Sequence, residues 1–196
     1  NIDWTLVYLR TVHDPADAIG LMESVPGQAA KHAKHLDIKP FSKQLCLRED
    51  FAYTGYLAAE WAARRKNAKA IAVDINNDGF RWFDSHVVFP IGKTIDGPFV
   101  DTEDGDLSQV LGDVSDYMTM KEHVADIVYA CNHAVGFLST RAALDNYMRI
   151  LSATILKGGF AVIDTFFGQD MWDTPDEQTE SGVEQYTYFD KKGLPV

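Results

Sequence analysis

Apolar residues along the chain fall into short unbroken runs, each followed by a polar tip and then by a segment with helical spacing. Ile19 to Met22, flanked by Asp17 and Glu23, predict a short helix that Pro26-Gly27 closes. Gln44 to Leu47 predict a first buried strand, and Gly55 to Arg65 predict a helix through Leu57, Ala58, Ala59, Glu60, Trp61, Ala62 and Ala63. Arg64 and Arg65 stand where the negative end of that helix dipole falls. Ala70 to Val73 show no alternation and stop at Asp74, as a parallel strand covered on both faces does. A short amphipathic segment follows around Phe80, Trp82 and Phe83, and 87–106, rich in proline, glycine and acids, reads as a loop or a pair of short edge strands.

Regular patterning returns at Val110-Leu111 and at Ile127 to Cys131, each a predicted strand. A long helix is predicted from Thr140 to Leu156, with Thr140 as its cap and Leu144, Tyr147, Met148 and Leu151 on one face. Lys157-Gly158-Gly159 reads as a turn before a last strand, Phe160 to Ile163, that ends at Asp164. Beyond it the chain turns polar and acidic and offers one alternating strand, Glu184 to Phe189.

Strands alternating with helices predict the α/β class, a doubly wound, mostly parallel sheet with helices on both faces. The expected organisation is a single domain over 1–196. Residues 1–40 form a helical cover, 41–167 the core, and 168–196 an acidic loop and the start of antiparallel strands. Length and composition suit that plan, because 196 residues with 46% hydrophobic and 24% charged content are ordinary globular values. No apolar run approaches the roughly 20 residues that cross a bilayer.

A formal charge of −11 opposes attraction to phosphate backbones and anionic lipid surfaces, so neither nucleic acid nor membrane insertion is expected. Cys46 and Cys131 lie inside apolar runs without CxxC or histidine spacing. They read as buried packing thiols, which suits a reducing compartment, cytoplasm or organelle interior. The first residue is not Met, which leaves room for a preceding segment, and nothing in the sequence names a compartment.

In open parallel sheets, ligands bind beyond the carboxyl ends of the strands, where the strand order reverses. The predicted sheet puts Glu49 and Asp50 after the first strand, Asp74 after the second, Asp113 after the third, and Asn132 with His133 after the fourth. An acid such as Asp74, about 20 residues past the first turn, suits both hydroxyls of a ribose, so the positions fit an adenosine-containing cofactor. Plainer roles compete. Asp74 also fits as a helix cap or a solvated turn acid, Asp113 as an exposed acid, and Asn132 and His133 as helix caps. Tyr129 and Phe137 read as core or pocket wall.

Four blocks carry a family resemblance: "LREDFAYTGYLAAEW", "AIAVDINNDGFRW", "VLGDVSD" and "ADIVYACNHAVGFLSTRAALDNYMRILSATILKGGFAVIDTFFG". They resemble the successive motifs of Rossmann-like S-adenosylmethionine-dependent methyltransferases, above all a bacterial-type branch whose first motif reads roughly EDFCGT, from about Asp14 to Phe189. The resemblance implies a Rossmann-like sheet, S-adenosylmethionine as cofactor, and methyl transfer to a small molecule or a protein group. It places Asp50 and the Thr54-Gly55 turn beside the methionine part of the cofactor, Asp74 on the ribose, and Asp113 with Val114 against the adenine. Asn132 and His133 would sit near the transferred methyl group, His133 as proton acceptor and Asn132 orienting the substrate.

Two departures stand against the family pattern. Members carry a small residue and then glycine where this chain has Ala52-Tyr53, and glycine there lets the backbone approach the cofactor. The resemblance also implies further antiparallel strands after "EQYTYFDKKGLPV", before which the sequence stops, so the expectation is a fragment or a subunit of an assembly whose open sheet edge another chain completes. These departures motivate a second expectation, a methyltransferase-like subunit that has lost the cofactor and serves a structural or interaction role in a larger complex.

Rival chemistries find weaker support. "DINNDG", Asp74 to Gly79, imitates the opening of a calcium loop, but its twelfth position is Ser85 where a glutamate is needed, and it follows a strand. His32 and His35 read as a solvated helical face, and "DTEDGD" as a solvated loop, so no metal is expected. There is no GxSxG elbow and no GxGxxG fingerprint, which disfavours nucleophilic hydrolysis and a dehydrogenase.

Overall fold

A computed structural model describes residues 15–32, 35, 45–63, 68–88, 106–130 and 134–164. Five strands form one parallel sheet: β1 (Cys46–Asp50), β2 (Lys69–Asp74), β3 (Asp106–Leu111), β4 (Ala125–Ala130) and β5 (Ile155–Ile163), in the order β3-β2-β1-β4-β5. The chain winds outward from β1 through β2 to β3 and then returns to β4 on the other side of β1. The reversal therefore falls between the carboxyl ends of β1 and β4, where an open α/β sheet forms its ligand crevice.

Helices cover both faces. On one face lie α1 (Pro15–His32), α2 (Tyr56–Ala63) and α3 (Asn77–Phe83), whose Met22, Leu57, Trp61 and Phe80 pack on Leu47, Ala70, Ala72, Ile127 and Tyr129. On the other lie α4 (Tyr117–Met120) and α5 (Arg141–Thr154), whose Met120, Tyr147, Ile150 and Leu151 pack on Val73, Val128 and Ala130. Successive strand residues point to opposite faces, so Leu47 and Glu49 belong to the first layer, and Arg48 and Asp50 to the second. Leu57 and Trp61 are fully buried, and truncating either to Ala would cost about 2–5 kcal/mol.

Strands and helices fall close to the predicted places, with three differences. Helix α1 continues through Pro26-Gly27 to His32, because the fixed φ of proline is itself helical and the ring removes only one backbone donor. Strand β3 begins at Asp106, inside the stretch read as loop or edge.

The third difference concerns Lys157-Gly158-Gly159, expected as a turn, which lies inside β5. Between the pairs Ala125↔Ile155 and Ile127↔Phe160, β4 advances two residues and β5 five, so the glycines form a bulge. Gly158 has φ +80, and a Cβ on Gly159 would run into the carbonyl of Asp126. Helix α5 therefore passes directly into β5 at Ile155. The expected roles of Arg64, Arg65, Cys131, Asn132, His133 and Glu184 to Phe189 lie outside the described residues.

Candidate functional site

The rim between β1 and α2 is built by the loop from Phe51 to Gly55. Its backbone enters the left-handed region at alternate positions: Phe51 at φ +58, Tyr53 at φ +49 and Gly55 at φ +73. Such a conformation costs an L residue other than glycine roughly 1–2 kcal/mol, and two of the three residues here are aromatic. Only Gly55 has no alternative, since a Cβ there would stand 2.8 Å from the Cβ of Ala72. The loop lies down on β2, with the Ala52 amide donating to the Val73 carbonyl at 2.9 Å.

Asp74 holds this loop. Its Oδ2 accepts the Tyr53 amide at 2.7 Å, and its Oδ1 accepts the Asn76 amide at 2.7 Å. The Asn76 side chain in turn accepts the Asp78 amide at 2.9 Å and caps α3, so the run resembling a calcium loop forms a turn and a helix start. Gly79 of α3 sits against the carbonyl of Tyr53, and a Cβ on Gly79 would also come within 2.8 Å of the Tyr53 ring. The Tyr53 side chain therefore leans on a glycine of the next helix.

Glu49 and Asp50 are sequence neighbours with opposite fates. Glu49 faces α2, where its Oε2 accepts the Ala58 amide at 2.9 Å in the first turn of the helix. Burial pushes its carboxyl up to about 8, the Ala58 amide opposes this, and Asp74 and Asp50 add to it.

Asp50 faces α5 and is 2% exposed. Arg48 Nε donates to its Oδ1 at 2.7 Å, Arg48 Nη2 to its Oδ2 at 3.1 Å, and the Tyr147 hydroxyl to its Oδ2 at 2.9 Å. Burial raises the Asp50 carboxyl, with Arg48 and then Tyr147 pulling it back. Arg48 itself is fully buried and also donates from Nη1 to the His123 carbonyl at 2.8 Å and to Thr154 Oγ1 at 2.9 Å.

Beyond β3, the Gly112 amide donates to the Asp74 carbonyl at 2.9 Å, which ties this end of the rim to β2. Asp113 is exposed, and its Oδ1 accepts the Ser115 amide at 2.7 Å. Val114 is buried in the layer with Val73 and Ala130. Asn146 of α5 holds the same turn by donating to the Ser115 carbonyl at 2.8 Å.

The parallel strands thus bring Asp50, Asp74 and Asp113 to one rim. Asp74 is in direct contact with the Tyr53 to Gly55 loop, and Thr54 is buried within it. The carboxylate of Asp50 points to the opposite face from that of Asp74. Glu49, placed with Asp50 at the end of the first strand but given no role there, stands on the Asp74 side of the sheet, where its Oε2 holds the Ala58 amide. Arg48 and Tyr147 gave no local signal.

No protein-family model and no curated protein sequence matches the chain. Among solved structures it is similar to the sugar N-methyltransferase KedS8 from a Streptoalloteichus species, at 15% identity and a TM-score of 0.56, over 88% of this chain and 57% of that one. It is similar to CalS10, an amino pentose methyltransferase from Micromonospora echinaspora solved with S-adenosylmethionine bound, at 15% identity and a TM-score of 0.55, over 87% of this chain and 58% of the other. An S-adenosylmethionine-dependent methyltransferase from Clostridium acetobutylicum gives 15% identity and a TM-score of 0.51, over 83% of this chain and 56% of that one. The chain spans less than two thirds of the length of each. It has the Rossmann-like fold of S-adenosylmethionine-dependent methyltransferases.

Proposed function

We propose that this chain is an S-adenosylmethionine-dependent methyltransferase domain that transfers a methyl group to a small molecule or a protein group. One observation carries the reading: the loop after β1 keeps left-handed backbone at Phe51, Tyr53 and Gly55, although two of these residues are unsuited to it. Strained backbone persists where the surroundings enforce it, and such outliers cluster at ligand clamps. The residues fit the cofactor in chemistry as well. Asp74 keeps a free lone-pair direction on each oxygen, enough to accept two ribose hydroxyls beside the amides it already holds.

Thr54 and Gly55 border the methionine part, and Asp113 with Val114 the adenine. Asn132 and His133 lie two and three residues past the end of β4 in sequence and are the residues proposed to meet the methyl acceptor. The cofactor supplies an activated methyl on a sulfonium, and transfer is an in-line displacement. The protein therefore has to hold nucleophile and methyl at near-attack distance and to accept one proton, the role proposed for His133.

A second reading draws on Tyr53. Its bulk, where the resemblance implies glycine, favours a methyltransferase-like subunit that no longer takes the cofactor and serves a structural role. Calorimetric titration of S-adenosylhomocysteine into the wild type and Asp74→Ala separates the two. Saturable heat that Asp74→Ala abolishes supports the enzyme, and a silent wild type that remains folded supports the structural role.

A further inference from the structure

Among the described residues, each of the two non-glycine residues in left-handed backbone is gripped by a different group, from opposite faces of the sheet. Tyr53 is held from one face by Asp74 and Gly79. Phe51 is held from the other by Tyr147 of α5. The Tyr147 ring lies 5.5 Å from the Phe51 ring, tilted by 60°, while the hydroxyl of the same side chain donates to Asp50 Oδ2 at 2.9 Å. One tyrosine thus touches two consecutive residues.

The contacts close a circle: Tyr147 hydroxyl, Asp50 carboxylate, the Asp50–Phe51 peptide, Phe51 ring, Tyr147 ring. Turning the φ of Phe51 out of the left-handed region swings its ring away from Tyr147, so the circle resists the conformation that an L residue would otherwise prefer. Its base is rigid, because Asp50 is paired through two nitrogens of Arg48, and Arg48 is fixed to Thr154 and to the His123 carbonyl.

We infer that Tyr147 is a positioning residue for the Phe51 to Gly55 loop, acting through Asp50 and Phe51, and that this loop keeps its cofactor-ready shape because of it. The inference rests on reading the loop as the seat of the methionine part of the cofactor. Asp50 on this account braces the loop from below and does not touch the ligand.

Tyr147→Phe keeps the ring and removes only the hydroxyl. Site-resolved amide exchange on the ligand-free protein should show the Tyr53 and Gly55 amides exchanging about tenfold faster, with Ala72 and Ile127 unchanged. The same variant should lose about tenfold in affinity for S-adenosylhomocysteine and none for adenosine, which lacks the methionine part. Exchange that is unaltered, or that rises equally throughout the sheet, overturns the inference, as does an equal loss for both ligands or for neither. A wild type that binds neither ligand defeats the enzymatic reading instead, and the exchange measurement still decides the role of Tyr147. Phe51→Leu, which removes the ring contact without touching the ion pair, should give the same exchange signature; an unchanged loop there also overturns it.

Discussion

The backbone amide of Tyr53 donates to the carboxylate of Asp74 at 2.7 Å, so the acid proposed to hold a ribose also holds the loop proposed to hold the methionine part of the same ligand. A single side chain couples the two halves of the site. Asp74→Asn keeps one acceptor oxygen and should lose part of the loop support. Asp74→Ala loses both bonds and should cost about 1–3 kcal/mol in urea unfolding, with cofactor binding abolished. Full stability in Asp74→Ala would show that the two amides find other partners.

Gly79 leaves room for Tyr53, and the contact is mainly with the Tyr53 carbonyl. Gly79→Ala should therefore destabilise by about 1–3 kcal/mol, and Tyr53→Gly should not rescue it, because removing the ring leaves the carbonyl in place. Tyr53→Gly alone should change stability by less than about 1 kcal/mol, relief of left-handed strain offsetting the lost ring and the greater freedom of the unfolded chain. Its affinity for S-adenosylhomocysteine should equal or exceed that of the wild type. Rescue of Gly79→Ala by Tyr53→Gly would contradict the packing described.

Glu49 gives a pH signature. Burial lifts its carboxyl to about 8 in the folded chain from an ordinary 4.5, so between these values the native state holds a proton that the unfolded state has released. The stability from that proton is complete below about pH 4.5 and is lost as pH rises through about 8. Glu49→Gln, which cannot ionise, should match the wild type near pH 4.5 and exceed it by up to a few kcal/mol at pH 9. Urea unfolding across this range checks it, and parallel curves for the two proteins would place Glu49 in a wetter environment.

The Arg48–Asp50 pair is buried on both sides, with neither side chain exposed. Arg48→Met leaves Asp50 without its cation and should cost about 3–5 kcal/mol. Arg48→Met combined with Asp50→Leu should recover most of this loss, since no charge is then left inside. Additive losses in the double variant would mean that packing, and not charge, dominates here.

Much of the scaffold was legible in the sequence. Unbroken short runs such as Ala70 to Val73, stopped by a polar residue, read as strands covered on both sides, and Thr140 announced helix α5, whose Ala143 amide it caps at 3.1 Å. The choice between Glu49 and Asp50 was not legible, because adjacent acids in a strand point to opposite faces and no local pattern says which helix covers which. The bond from Tyr147 to Asp50 spans 97 residues and exists only once the sheet is assembled. Lys157-Gly158-Gly159 looked like a turn because glycines punctuate turns and bulges alike.

The central claim is that the rim from the Phe51 loop through Asp74 to Asp113 receives one adenosine-containing cofactor. Crystals of the wild-type protein soaked with S-adenosylhomocysteine test it most directly. The account predicts density along that rim, with a ribose on Asp74 and the loop keeping its left-handed backbone. A folded protein whose rim stays empty at saturating ligand, or one that binds the ligand elsewhere, would contradict it.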